Sequence, residues 1–357
     1  MLYKSVLKPI LFNFDPEDVH DFMTKMGQFL GNYSIGRKLT DIVYGYHGPD
    51  ISKTVDGIKF KTPFLLSAGF DYNGHLSQIL PCIGLGGEEI GSITAKPCEG
   101  NLRPRLTRLP RSQSIIVNKG LRNDGVDVLI KRLKPLLIST SDKPRDFVIG
   151  ISIAKTNCAD TADTQGAIDD YLYSFKRLNE EGIGDYYTIN ISCPNAFGGE
   201  TFTTPKLLEQ LLTALDVIPC KKPVYVKMPI NIPWEQFELL LNVIDSHGLQ
   251  GVIIGNLNKD YNSLDFREEA PETYRGGLSG KPCANLSTSL IRKTRQKFGK
   301  RFTIIGVGGV MSPQLAREKF DAGADLIQLI TGMIYEGPGL IRKLCLDYFK
   351  NKGYSNH

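Results

Sequence analysis

Eight short apolar runs alternate with helical stretches from residue 64 to near the end of the chain. Continuous apolar runs are typical of strands that are buried on both faces, as in parallel sheets covered by helices. Eight strand–helix units favour a closed barrel over an open sheet. The sequence therefore predicts an α/β fold with a single (β/α)8 TIM barrel. The predicted strands are Phe64–Ala68, Glu89–Thr94, Phe147–Ile153, Tyr187–Ser192, Val224–Met228, Gly251–Asn256, Thr303–Val307 and Leu326–Ile330.

Residues 1–45 lie outside this alternation and predict a short N-terminal helical region, ahead of a barrel over residues 46–357. A helix is expected to begin at Asp15, which can cap it, with Pro16 at its first position. Two interpretations stay open: the helices pack on the barrel, or they face a membrane or a quinone. The predicted apolar face of this helix is Val19, Phe22, Met23, Met26, Phe29 and Leu30.

Two connections stand out between the predicted elements. Val55-Asp56-Gly57-Ile58 predicts a tight hairpin ahead of the first barrel strand. The second and third runs are separated by about 50 residues, which is more than one helix with its loops requires. This segment is expected to form an excursion over the active site.

Composition limits the classes of function. Lys and Arg together number 43 against 38 Asp and Glu, so the net charge is +5 without a run of one sign. This excess is too diffuse to predict nucleic-acid binding. Seven scattered cysteines without CxxC pairs predict neither disulfides nor a metal site. With no apolar stretch long enough to span a bilayer and no export signal, we expect a cytoplasmic protein that can bind peripherally to a membrane. Oligomeric state is not indicated.

The glycine-rich ends of the last two strands predict a phosphate site. Gly308-Gly309 exposes backbone N–H groups, and Ser312-Pro313 can begin the next helix. Thr331-Gly332 follows the eighth strand, so the phosphate site common in such barrels is expected here. The spacing is not that of a dinucleotide fingerprint, so a mononucleotide fits better. The alternative is a pair of tight turns.

Two other strand ends carry reactive or charged groups. Lys227 lies in a strand that should be buried, where it needs a bound anion or a salt bridge to a neighbouring acid. Cys193 lies in the polar segment NISCPN, where a thiol could reach a substrate as a general base. The alternative for a cysteine is a small buried apolar residue.

Several motifs together resemble the dihydroorotate dehydrogenase family, and above all its class 2, membrane-associated branch. They cover nearly the whole chain: FDPEDVH, SAGFDYNG, EIGSITAKP, GNLRPR, NISCPN, VYVKMP, GGLSGKP and GVGGV. The resemblance implies an FMN-dependent oxidoreductase of pyrimidine biosynthesis. It would oxidise dihydroorotate to orotate by hydride transfer to flavin N5 and pass the electrons to a quinone near the N-terminal helices.

The resemblance also implies site residues, with Cys193 as the catalytic base. The implied FMN-binding residues are Ala68, Gly69, Ser92, Ser152, Asn190, Lys227, Gly255, Gly280, Gly308, Gly309, Thr331 and Gly332. The implied substrate-binding residues are Tyr72, Asn118, Asn190, Asn195 and Asn256. An asparagine amide both donates and accepts hydrogen bonds, as the pyrimidine ring requires.

The chain departs from the class 2 pattern around the substrate. Cys193 is the class 1 choice of base, where class 2 proteins usually carry serine. Tyr72 stands where class 2 proteins have a lysine that contacts flavin and substrate carboxylate. Lys119 or Arg122 could supply the positive charge of that missing lysine. Three alternatives are therefore kept: a dihydroorotate dehydrogenase, a paralogue acting on another activated C–C bond, and a flavin-binding protein without turnover. Further departures are Val117, Ser152, Gly255 and Leu257.

Overall fold

The computed structural model describes residues 3–138, 147–192, 202–271 and 273–351. The strands, in chain order, are β1 (Lys53–Val55), β2 (Ile58–Phe60), β3 (Phe64–Leu66), β4 (Gly87–Ile93), β5 (Leu106–Leu109), β6 (Ser114–Val117), β7 (Val148–Ile153), β8 (Tyr186–Asn190), β9 (Val224–Met228), β10 (Gly251–Ile254), β11 (Gly277–Gly280), β12 (Thr303–Val307) and β13 (Leu326–Leu329). The helices are α1 (Lys8–Leu11), α2 (Pro16–Asn32), α3 (Ser34–Tyr44), α4 (Val126–Ile138), α5 (Thr164–Glu180), α6 (Pro205–Asp216), α7 (Trp234–Ser246), α8 (Ala284–Phe298), α9 (Pro313–Asp321), α10 (Thr331–Glu336) and α11 (Gly339–Asn351). A π-helical turn over Tyr3–Leu7 precedes α1.

Eight parallel strands close into a barrel in the order β3-β4-β7-β8-β9-β10-β12-β13, which confirms the predicted (β/α)8 fold. Each of the eight predicted runs overlaps one of these strands. Most barrel-strand residues are buried, because the barrel interior covers one face of each strand and the surrounding helices cover the other. The strands therefore all end at one rim, where the functional groups of such barrels gather.

A hairpin closes the opposite end of the barrel. Asp56 and Gly57 both have positive φ, as a two-residue turn between β1 and β2 requires, so the predicted hairpin is confirmed. Phe60 is fully buried in the same apolar cluster as Tyr225, whose hydroxyl donates to Asp56 Oδ2 at 2.6 Å. The hairpin thus covers the amino-terminal ends of barrel strands, away from the rim where their carboxyl ends meet.

The excursion between β4 and β7 is present and carries β5, β6 and α4. Its two strands form an antiparallel sheet with β11, which comes from the segment between β10 and α8. This three-stranded sheet is not predicted by the sequence, because β11 is the glycine-rich segment GLSG and has no apolar run.

The N-terminal helices begin as predicted but differ in the face that they bury. The Asp15 side chain caps α2 by accepting from the backbone N–H groups of Glu17 and Asp18. The predicted apolar face is only partly buried, because α2 lays Gly27 and Gly31 against residues 76–79, and glycine permits this close approach. Part of the predicted face is consequently exposed, namely Phe22, Met26 and Phe29. In the described ranges, every helix is too short or too polar to cross a membrane.

Candidate active site

A cleft opens at the carboxyl ends of the barrel strands. It encloses about 520 Å³ of empty space, part of it open to solvent. Its lining comes from the ends of β3, β9, β10, β11, β12 and β13, which confirms that polar strand ends meet at one rim. The predicted residues that line it are Ala68, Lys227, Gly255, Asn256, Gly280, Gly308, Gly309, Thr331 and Gly332.

The glycines of the cleft cannot be replaced without a collision. A Cβ on Gly309 would lie 2.7 Å from the backbone nitrogen of Ala284, and one on Gly332 would strike the carbonyl oxygen of Val310. Gly308 and Gly309 also have φ of 102° and 73°, a region that side chains disfavour. As predicted, Ser312 caps the following helix, α9. The cleft is therefore lined here by backbone without side chains, which suits the close approach of an anion.

Three predicted residues form hydrogen bonds with one another across the neighbouring strands β4, β7 and β8. Ser92 Oγ and Ser152 Oγ are 2.7 Å apart, and Asn190 Nδ2 donates to Ser92 Oγ at 2.8 Å. All three side chains are buried. Their donors and acceptors are therefore held at fixed positions, because a buried polar group is costly to leave unpaired.

Ser192 connects the two asparagines of the site. Its hydroxyl and backbone N–H both donate to Asn190 Oδ1, at 3.1 and 3.2 Å. Asn256 Nδ2 donates to Ser192 Oγ at 2.6 Å and to its carbonyl oxygen at 2.7 Å. One serine thus orients both amides, and Ser192 was not among the predicted site residues.

Lys227 lies at the floor of the cleft and has an acidic partner inside the barrel. Its Nζ is 3.8 Å from Glu89 Oε1 and 3.3 Å from Ser67 Oγ. Glu89 is fully buried and accepts at Oε2 from Thr188 and Gln328. The salt bridge that the sequence offered as an alternative is therefore present, although Lys227 also faces the cleft.

Tyr72 lies beside the N-terminal helices. Its ring is 5.0 Å from the ring of His20, whose Nε2 donates to the carbonyl oxygen of Phe70 at 2.8 Å. Burial raises the pKa of Tyr72 and, helped by the nearby Lys119, lowers that of His20. Both side chains are therefore neutral at physiological pH, and a cation lies beside them, with Lys119 Nζ 5.0 Å from the centre of the Tyr72 ring.

Lys119 and Arg122 both contact Glu17 of α2. Lys119 Nζ is 2.9 Å from Glu17 Oε1, and Arg122 Nη1 is 3.2 Å from the same oxygen. Arg105 is also within ion-pair distance of Glu17, which is 2% exposed. Burial lowers the pKa of Lys119, and the contact with Glu17 opposes that shift. The buried carboxylate thereby fixes α2 to the excursion.

The remaining predicted residues do not line the cleft, or they lie outside the described residues. The Gly69 N–H donates to the carbonyl oxygen of Gly91 at 2.8 Å, next to Ser92. Asn118 does not line the cleft; it accepts from Asn101 and lines a small cavity on the excursion. Cys193 and Asn195 fall in 193–201, outside the described residues.

Two further cleft residues were also missed. Ser67 contacts Lys227, and Ser279 Oγ accepts from Thr331 Oγ1 at 2.9 Å. Ser67 stands at a predicted strand end, so its position offered a signal. Glu89 offered the same signal as Lys227, namely a charged residue within a strand expected to be buried.

Comparisons with known proteins agree with this geometry. The family model described as Dihydroorotate dehydrogenase matches residues 50–348. The chain is 34% identical to the dihydroorotate dehydrogenase (quinone) of Christiangramia forsetii, over 96% of this chain and 97% of that protein. It is 35% identical to the protein of the same name from Gloeobacter violaceus, over 96% and 92%. The crystal structure of DHODH from Eimeria tenella in complex with ferulenol superposes with a TM-score of 0.84 at 26% identity, covering 97% of this chain and 96% of that one. The chain therefore belongs to the dihydroorotate dehydrogenase family.

Proposed function

We propose that this protein is an FMN-dependent enzyme that oxidises dihydroorotate to orotate and passes the electrons to a quinone. The observation that carries the proposal is the pair of asparagines, Asn190 and Asn256, which Ser192 orients at the rim beside Lys227. Family membership at 34% identity over 96% of the chain supports the same reaction.

The cleft residues fit FMN. Gly308, Gly309 and Gly332 line the cleft with backbone alone and pack too closely on Cys283, Ala284 and Val310 to carry a Cβ, which suits the phosphate of a mononucleotide. Val310 and Ile330 provide apolar walls, and Lys227 provides a buried positive charge at the floor. A dinucleotide fits less well, because the glycine spacing is not that of a dinucleotide site.

The substrate would be held by amides and deprotonated by a thiol. When bound, FMN supplies the acceptor for the hydrogen and electron pair that leave C6 of dihydroorotate. Asn190, Asn195 and Asn256 would pair with the alternating C=O and N–H groups of the pyrimidine. Cys193 would remove the C5 proton as general base, so that the C5–C6 bond becomes a double bond.

The N-terminal helices support a quinone as the second substrate. Apolar side chains of α2 and α3 are exposed, which suits contact with a membrane surface where quinones dissolve. His20 links α2 to Phe70 at the end of β3, so this surface lies close to the barrel rim. The most exposed side chains are Phe22 at 58%, Phe29 at 61%, Ile35 at 71%, Leu39 at 59% and Ile42 at 60%.

The test is anaerobic reduction of the flavin. Purified protein loaded with FMN should lose its yellow colour when dihydroorotate is added, and a soluble quinone should restore the colour faster than NAD. Persistent colour at saturating dihydroorotate would refute the proposed substrate.

A second candidate function is supported by Leu257, whose side chain lines the cleft and packs on Gly277. Together with the neutral Tyr72, it makes the substrate side more apolar, which favours a less polar substrate than dihydroorotate. The enzyme would then act on another activated C–C bond. A screen of cyclic amides with and without a carboxylate distinguishes the two functions, since turnover of dihydroorotate alone would exclude the second.

A further inference from the structure

Lys319 is a buried cation on the α9 helix. It is 1% exposed, and its Nζ donates to Ser287 Oγ at 3.0 Å and to Thr288 Oγ1 at 3.1 Å. Its third contact is the carbonyl oxygen of Ala284 at 3.4 Å. Within the described ranges it makes no ion pair, so all its contacts are with neutral oxygens of α8. A buried ammonium group without a counter-charge is unfavourable in a folded protein.

These contacts place Lys319 directly behind the glycine pair of the cleft. A Cβ on Gly309 would lie 2.7 Å from the Ala284 nitrogen, so the first residue of α8 packs against that glycine. Ser287 Oγ donates to the carbonyl oxygen of Val307 at 2.5 Å, the residue that precedes Gly308. The first turn of α8 therefore separates the ammonium group from the Gly308–Gly309 backbone.

The electrostatics of this turn favour an anion. The N-terminus of α8 carries the positive end of its helix dipole, which adds to the lysine charge rather than offsetting it. Burial lowers the pKa of Lys319 to about 7. The titratable groups that act on it are Cys283, on the turn before α8, and Glu318, its neighbour on α9. Burial raises the pKa of Cys283 to about 12, so this thiol supplies no charge near neutral pH.

The barrel side supplies no counter-charge either. The groups of β10 and β12 that meet Ser287 are the backbone carbonyls of Ile254 and Val307. In the described part of the chain, no carboxylate lies within ion-pair distance of Lys319, and Glu318 acts on it only from farther away. Lys319 and the end of α8 are thus two positive charges beside the glycine pair. Both would be balanced by an anion bound on the other side of that turn.

We propose that Lys319 is the counter-charge of the phosphate cradle and takes up a proton when a phosphate binds at Gly308–Gly309. It is a positioning residue, because it acts through the first turn of α8 and does not touch the ligand. This inference rests on the proposed FMN site and adds a linkage between cofactor binding and pH. The purely structural alternative is that Lys319 only joins α8 to α9.

The experiment compares FMN with riboflavin, which lacks the phosphate, on the full chain freed of flavin. Between pH 7 and 9 the phosphate is already a dianion. If the protein takes up one proton with FMN, its affinity for FMN should fall about tenfold per pH unit above pH 7. Its affinity for riboflavin should not change with pH. Fluorescence quenching gives both dissociation constants. Calorimetry in buffers of different ionisation enthalpy should count about one proton taken up with FMN and none with riboflavin.

Two variants distinguish an effect of the Lys319 charge from an effect of its packing. Lys319→Met should weaken FMN binding at pH 7 by roughly tenfold, abolish its pH dependence and leave riboflavin binding unchanged. Lys300→Met, at an exposed position after α8, is the matched control and should bind both flavins like the wild type.

Equal weakening of the binding of both flavins by Lys319→Met would show a structural role. If that variant does not fold, calorimetry on the wild-type protein is sufficient: FMN binding without proton uptake would overturn the proposal. Failure of dihydroorotate to reduce the flavin would instead overturn the proposed function and leave this result unaffected.

Discussion

The ammonium nitrogen of Lys119 lies 5.0 Å from the centre of the Tyr72 ring. Tyr72 occupies the position where the class 2 pattern has a lysine for the substrate carboxylate, and Lys119 lies on the neighbouring excursion. A positive charge is therefore retained near this position, although it comes from another part of the chain. Arg122, the other residue considered as a replacement, contacts both Glu17 and Asp21.

Replacement of Lys119 by Met should raise the KM for dihydroorotate by roughly 10- to 100-fold, because a charge-assisted hydrogen bond to the carboxylate is lost. The measurement compares dihydroorotate with dihydrouracil, which has no carboxylate and should be unaffected. Glu17 keeps contacts with Arg103 and Arg105, so α2 should stay in place. Arg122→Met is the control and should change KM by much less. A similar loss for both substrates would argue against a carboxylate contact.

Substitution of Ser192 by Ala should lower kcat/KM for dihydroorotate by roughly 5- to 30-fold, since two amides of the site lose a shared hydroxyl partner and about 1–2 kcal/mol of orientation. Asn190 and Asn256 would keep their bonds to the backbone of residue 192 but would be held less firmly. Ser192→Thr, which keeps a hydroxyl, should recover part of the loss. Ser246→Ala, at an exposed hydroxyl on α7, is the matched control. Unchanged kinetics in Ser192→Ala would refute the positioning role.

Cys193 is proposed as the base, so Cys193→Ala should slow flavin reduction by dihydroorotate by roughly 10²- to 10⁴-fold, the contribution typical of general base catalysis. FMN binding should persist, which the protein-bound flavin spectrum would show. Cys193→Ser should retain partial activity that rises at higher pH, because a hydroxyl is the weaker acid. Cys158→Ala serves as a control, because Cys158 lies after β7 and away from the cleft lining. Rapid reduction in Cys193→Ala would assign the base to another residue.

The barrel could be predicted from the sequence because its strands are buried on both sides and so consist of nearly uninterrupted apolar residues. The predicted bounds of β9 and β12 agree with the structure, whereas the predicted first strand extends past Leu66 to Ala68. The sheet of β5, β6 and β11 could not be predicted in this way. Its Gly280↔Ser114 pair joins residues far apart in the chain, and no local pattern specifies such a partner.

The site was predictable where backbone chemistry determines it and less so where tertiary contacts do. The glycine pair at Gly308 signals a required conformation in the sequence itself. The role of Ser192 depends on how the ends of β8 and β10 approach each other, which the residue order does not reveal. In α2 the apolar residues form one stripe at helical spacing, so periodicity could not indicate that Gly27 and Gly31, beside that stripe, would pack against residues 76–79.

Glu88 makes stability depend on pH in a direction that can be measured. It is fully buried on β4, and burial, followed by repulsion from Asp71, raises its pKa well above the usual range. Asp71 accepts from the backbone N–H groups of His75 and Leu76, at 3.0 and 2.6 Å, so it is the better site for the negative charge. Glu88 is therefore protonated in the folded protein at pH values where the unfolded chain has ionised it.

The free energy of unfolding should consequently fall as pH rises above about 4.3, the usual glutamate pKa, until it passes the raised pKa in the folded state. Glu88→Gln keeps the neutral form at every pH and removes this loss. At pH 8 the variant should be more stable than the wild type, because it has no buried acid to keep protonated. At pH 4 the two should be nearly equal. Urea denaturation at both pH values measures this, with Glu99→Gln, at an exposed position, as control. If Glu88→Gln shows the same pH dependence as the wild type, titration of Glu88 is not the cause, and the linkage belongs to another acid whose pKa is raised by burial, such as Asp170.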